Sequence, residues 1–159
     1  MAAVLIFSAL GASKQAIHVP GWPTLPYPFS TAMLTCLSDD PKQACWLHAS
    51  GMQGIDCNTL PPSMVPGGVG NQTAQTLENI AAVAQAAGAS MDDMSECEVM
   101  LANLEDFKEM NAAYGAFFGR VKPARAAAAM GLVGGALVEI KCSGFAPNPV
   151  LSRRGAALK

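Results

Sequence analysis

Between Thr73 and Leu101 the apolar pattern changes period, and that change bounds the folds open to the chain. Thr73, Leu77, Ile80, Ala84 and Ala87 recur at alternating four- and three-residue steps, one stripe of an α-helix, with Gln75, Glu78 and Gln85 off it. Asn71 or Thr73 can cap its start, and Gly88 suits its end. A few residues on, Cys97, Val99 and Leu101 alternate with Glu96 and Glu98, the period-two pattern of a half-buried strand. A helix feeding a strand with one apolar face requires a layered fold, helix upon sheet.

The flanking segments fill out that layer. Ser13 to Val19 reads as an edge strand, and four prolines between Pro20 and Pro28 make a rigid loop after it. "FSTAMLTCL" and "ACWLHASGMQGID" read as strands of a hairpin turned at "SDDPKQ", and "CNTLPPSMVPGGVG" reads as loop. A second helix begins at "NLEDF", where Asn103 caps the first amides and Asp106 sits near the positive helix end. Phe107, Met110, Tyr114 and Phe117 continue at helical spacing until Gly119. "ARAAAAM" and "ALVEIKCSGF" then read as a last hairpin around "GLVGG". The expected architecture is α+β, one mixed sheet with both helices on the same face. Its other face, expected to be small and apolar, would pack against further copies of the chain.

Composition narrows the function classes. Apolar residues make up 51% of the chain and charged residues 14%, which favours an oligomer over a well-solvated monomer. The net charge of −2, without a cluster of either sign, gives nucleic acid no electrostatic footprint. Cys36, Cys45, Cys57, Cys97 and Cys142 follow no metal-binding spacing and read as small buried hydrophobes in a reducing compartment, with Cys57 the candidate exposed thiol. His18 and His48 are far apart in sequence and form no metal site; no metal is expected. Residues 1–12 form a short apolar run ending in small residues. It is too short to span a membrane and lacks the basic start of a signal peptide, so it reads as an extension or a degenerate targeting segment. Residues 13–147 then form the domain, and 148–159 a loose basic tail.

Within the nearly featureless run from Val121 to Lys141, Arg125 and Glu139 stand out. Both positions are odd, so in a hairpin turned near Leu132 they share one sheet face, directly opposite or diagonal, about 7–8 Å apart in the diagonal case. A salt bridge is the plain reading. A guanidinium among Ala126, Ala127, Ala128 and Ala129 also suits bidentate capture of a carboxylate.

"KPARAA" followed by "VEIK" resembles the signature of the RidA family, also called YjgF/YER057c/UK114. "YPFSTAM", "HASGMQGID", "AAGAS" and "NLEDFKEMNAAYGAFF" fall in the family's order, so the resemblance runs from about Ser13 to Pro147. It implies a chorismate-mutase-like fold, a homotrimer with sites between subunits, and cofactor-independent hydrolysis of reactive 2-imino or 2-enamino acids to keto acids and ammonia. On that basis Arg125 clamps the substrate carboxylate and Glu139 holds the attacking water. Ser50 and Gly51 bring backbone close to the ligand, Phe29 and Ala127 border it, and Asn111 completes the pocket across the interface.

The chain departs from the family at Phe29, where deaminating members carry a tyrosine, at the Arg125–Glu139 interval, one residue shorter than usual, and at Ala128, where a larger residue is common. The alternative is a trimeric protein that binds small carboxylates without turnover, or acts as a protein partner or chaperone. An RNase role, reported for some relatives, is disfavoured by the charge. A cytoplasmic location is expected, with an organellar or exported one if residues 1–12 are a targeting segment.

Overall fold

The computed structural model describes residues 12–24 and 26–149; most of the extension and tail (1–11 and 150–159) lie outside the described residues. The strands are β1 Ser13–Ile17, β2 Ala32–Cys36, β3 Cys45–Ala49, β4 Met52–Gln53, β5 Ile55–Asp56 and β6 Ser63–Met64. After helix α1 (Gly68–Ala86) come β7 Met94–Leu101, helix α2 (Phe107–Phe117), β8 Ala124–Ala129 and β9 Val138–Ala146. The main sheet runs β1-β2-β3-β9-β7-β8, with β4 also paired to β9, while β5 and β6 form a small ribbon. The period change after α1 is present as read. Cys97, Val99 and Leu101 are buried beneath the helices, and Glu96 and Glu98 are exposed on the opposite face.

All pairings in the main sheet are antiparallel except β7 with β8. A parallel pair needs a crossover, and α2 supplies it between those two strands. The expected hairpin of the last two strands is therefore absent. β9 inserts on the far side of β7, so β8 and β9 each border β7 and do not touch each other in the ladder. Parity fixes a shared face only for adjacent strands, and the connection of eight residues between β8 and β9 is long enough to step over one strand instead.

Both helices cover one face, and Leu77, Ile80, Val83, Val99, Val138 and Ile140 are essentially inaccessible between the layers. Each such side chain contributes roughly 1.5–3 kcal/mol on burial. Helix α1 begins earlier than its stripe. It starts at Gly68, behind Gly67 at φ 99°, while Asn71 instead donates to the Pro66 carbonyl and Thr73 to the Val69 carbonyl. Gly88, at φ 78°, closes the helix as expected. Asn148, assigned to the loose tail, is buried, and its Nδ2 donates to the carbonyls of Ser38 at 2.9 Å and Asp40 at 3.2 Å.

The cysteines also differ from the expectation of separate thiols. Cys36 is bridged to Cys45 and Cys97 to Cys142, leaving Cys57 as the free cysteine among the described residues. Cys97 and Cys142 face each other directly in the β7–β9 register, a relation their 45-residue separation does not advertise. Cys57 is half-buried, not exposed, and burial followed by the Asp56 charge pushes its thiol pKa up.

Candidate functional site

Arg125 is in parallel register with Cys97, so its side chain leaves the sheet on the helix-covered face. There it meets α2, whose residues Phe107, Asn111 and Tyr114 share one helix face by their four- and three-residue steps. Nη2 of Arg125 donates to Asn111 Oδ1 at 2.7 Å. The guanidinium carbon lies 4.6 Å from the Tyr114 ring centre and 5.8 Å from that of Phe107. Tyr114 is only 3% exposed and packs on Phe118 at 4.7 Å. Burial pushes its phenol up to about 12, against a smaller opposing pull from the Arg125 charge. Lys122 fixes the turn into β8 by donating to the carbonyls of Gly115, Phe118 and Gly119 at the end of α2.

Glu139 occupies the other face. It is in register with Gln53 of β4 and Met100 of β7. Gln53 Nε2 donates to Glu139 Oε2 at 2.9 Å and to the Val133 carbonyl at 3.2 Å. Beside them the line of strands β3 and β4 along β9 is broken at Ser50 and Gly51. Ser50 ties the break to the preceding loop, its N–H donating to Thr31 O at 2.9 Å and its hydroxyl to Ser30 O at 2.7 Å. Gly51 abuts the Glu139 carboxylate so closely that a Cβ would collide with it. Two buried α1 side chains hold this region from below. Asn79 donates to the carbonyls of Gln53 and Ile55, and Gln72 accepts the Leu137 N–H at the entry to β9.

The expected residues thus fall into two groups. Arg125, Asn111 and Ala127 lie on the α2–β8 side, while Glu139, Ser50 and Gly51 lie around the break beside β4. Phe29 leads into the loop that Ser50 anchors. It is 63% exposed and stacks on Tyr27 at 5.3 Å and 9°. Arg125 and Glu139 do not share a face, contrary to the hairpin reading. They are three residues apart along the strands and two strands apart across them, on the order of 10 Å each way. Asn111, expected to act from another subunit, bonds Arg125 within the same chain.

The uncovered face is also more polar than expected. The exposed edge strand β8, with Ala126 and Ala128 on this side, is small and apolar, but Glu96 and Glu98 of β7, Lys141 of β9 and His48 of β3 share the face. Trp46, His48, Glu96, Glu98, Lys141 and Ser143 line a hollow of about 210 Å³ there, which neither Arg125 nor Glu139 borders. Trp46 donates to His48 Nδ1 at 3.0 Å, and burial followed by the Lys141 charge lowers the His48 pKa. Among the described residues no three His, Cys, Asp or Glu side chains are grouped to hold a metal ion.

Sequence reasoning missed Gln53, Phe107 and Tyr114. Gln53 could have been found from "SGMQG", where it follows Gly51 by two residues. Phe107 and Tyr114 stand out in the sequence only by their helical spacing, and Asn111, at four- and three-residue steps from them, shares their face of the helix.

The profile of the endoribonuclease L-PSP family matches residues 37–145. A RutC family protein of Pyrococcus horikoshii is 36% identical over 114 residues, 72% of this chain and 82% of the relative. The chain belongs to the RidA family. A bovine relative named 2-iminobutanoate/2-iminopropanoate deaminase is 37% identical over 81 residues, 51% of this chain and 58% of its own length. The RidA crystal structure from Psychrobacter superposes with a TM-score of 0.69 at 30% identity, covering 82% of this chain and 98% of its own. A structure described as endoribonuclease L-PSP from Entamoeba histolytica gives 0.71 at 29% identity, with coverage of 83% and 98%. The mixed sheet with two helices is thus the RidA-family fold. No helix among the described residues is long and apolar enough to cross a membrane.

Proposed function

We propose that the chain hydrolyses 2-imino acids to 2-keto acids and ammonia at a site assembled between copies, in a homotrimer. The observation that carries this is the division of the site. Arg125 offers a supported guanidinium and Glu139 a fixed carboxylate, but on opposite faces of one sheet, so a neighbouring copy must bring them together. The exposed alanine strand β8 provides a surface for such an approach.

In this reading the Arg125 N–H groups not used by Asn111 bind the substrate carboxylate. Glu139 of the adjacent copy takes a proton from water as the water oxygen bonds to the iminium carbon, and the C=N electrons pass to nitrogen. The proton then returns from Glu139 to nitrogen. Collapse to the carbonyl breaks the C–N bond, and the hydroxyl proton follows the departing ammonia as ammonium. The imine carbon is already electrophilic, so positioning and one carboxylate suffice.

The test is keto-acid and ammonia release from imines generated in place by an amino-acid oxidase, with light scattering to establish the trimer. Arg125→Ala and Glu139→Gln should each abolish acceleration, and mixing the two inactive variants after subunit exchange should restore part of it. Acceleration by a monomer would remove the reading. Phe29, which has no hydroxyl to offer, favours a second one, a trimer that binds carboxylates without turnover. Keto-acid binding with no acceleration would select it.

A further inference from the structure

Tyr114 takes no part in the steps above, yet it is the most deeply buried group touching Arg125. Its ring lies 4.6 Å from the guanidinium carbon, closer than Phe107 at 5.8 Å, and Phe118 packs against it at 4.7 Å. The hydroxyl is buried and has no hydrogen-bond partner among the described residues. A hydroxyl that makes no bond cannot be what orients the arginine, so any hold on the guanidinium comes from the ring. An aromatic face attracts a cation through its quadrupole, and a buried ring cannot turn aside without displacing its neighbours.

We propose that Tyr114 is a positioning residue for carboxylate capture. Its ring supports the Arg125 guanidinium while Asn111 fixes one edge, leaving the remaining N–H donors aimed at the substrate carboxylate. The inference rests on the carboxylate-binding half of the reading above and not on turnover. Three contacts divide the work. Asn111 sets rotation about the guanidinium, Tyr114 sets its height above the helix, and Phe107, 41% exposed, walls the solvent side. An arginine so held loses little freedom on binding, which is where preorganisation gains affinity.

The decisive experiment grades the electrostatics of the ring while keeping its shape. Position 114 of the full chain would carry phenylalanine with zero, one or three ring fluorines, alongside Tyr114→Leu. Binding of 2-oxobutanoate is read by calorimetry and imine hydrolysis as separate KM and kcat. Tyr114→Phe should stay within about twofold of the parent, and the fluorinated series should weaken binding stepwise by up to about tenfold, with KM rising and kcat unchanged. A flat series alongside a weakened Tyr114→Leu would make the ring mere filling and overturn the proposal. So would a fall in kcat alone. If the parent protein fails to bind 2-oxobutanoate, the carboxylate reading falls. Tyr114 is then judged by the Arg125 Nε–H resonance, which should lose its ring-current shift and gain mobility along the series; an unchanged resonance would overturn it.

Discussion

Arg125 and Glu139 are held by opposite means. The arginine sits on the helix-covered face, supported by side chains, with a ring beneath it, a second ring beside it and an amide at one edge. The glutamate sits on the uncovered face, held by one amide, with its carboxylate in the space that a Cβ at Gly51 would take. The first arrangement is damaged by removing atoms, the second by adding one. A site divided this way places binding and water handling on different structural foundations, so each can be disturbed without the other.

The largest effect should come from the core next to Arg125. Cys97 is its neighbour in the parallel register and is bridged to Cys142. By the chain-entropy model, removing this bridge with a Cys97→Ala, Cys142→Ala pair should cost about 4 kcal/mol, against about 3 kcal/mol for the shorter loop closed by Cys36–Cys45. Denaturant unfolding at one fixed protein concentration measures both. Equal losses would show that loop length does not govern these bridges.

Next in size is Gly51→Ala. The added methyl group must displace the Glu139 carboxylate, and misplacing a water-handling group by about 1 Å lowers turnover by about a hundredfold. Binding of 2-oxobutanoate, which needs only the Arg125 half, should hold to within about twofold. If both fall together, the two halves are not separable and the comparison fails.

How much of this was legible in the sequence follows from the range of the forces involved. The helix stripe, the alternation at Cys97 to Leu101 and the closing Gly88 are local patterns and were read correctly. The insertion of β9 beyond β7 is not local. "ARAAAAM" and "ALVEIK" carry the same signal whether they pair with each other or flank a third strand, and that choice decides which face Arg125 occupies. The disulfides were missed for the same reason, since strand register brings their partners together. Gly51 could be named from its motif, but its use, giving room to the Glu139 carboxylate, depends on a break between β3 and β4 that no periodicity announces. The alanines of β8 point to a small, apolar uncovered face, but the charges of β7 and β9 lie on that face too.

A smaller effect is expected at Gln53→Ala. The substitution removes the donor to Glu139 Oε2 but leaves Gly51 in place, so the carboxylate keeps the room it occupies. Turnover should fall by about tenfold, an order less than for Gly51→Ala, and affinity for 2-oxobutanoate should not change. A loss as large as that of Gly51→Ala would mean that the Gln53 amide matters to the position of Glu139 as much as the room at Gly51 does.

The smallest effect tests the covered half and appears only in alkaline solution. Tyr114 ionises near 10 in an unfolded chain and is pushed up to about 12 in the folded one. Between those values the unfolded chain releases a proton that the folded chain retains, so unfolding becomes more favourable as pH rises. The contribution is intact below about 10 and is lost progressively as pH climbs toward about 12. Tyr114→Phe should flatten that decline, seen as a shallower fall of the unfolding midpoint across the window. Near neutrality it should leave stability unchanged or slightly higher, because the hydroxyl it removes is buried without a partner among the described residues. An unchanged alkaline slope would mean that the phenol meets water, and the ring beneath Arg125 would then be less enclosed than its 3% exposure implies.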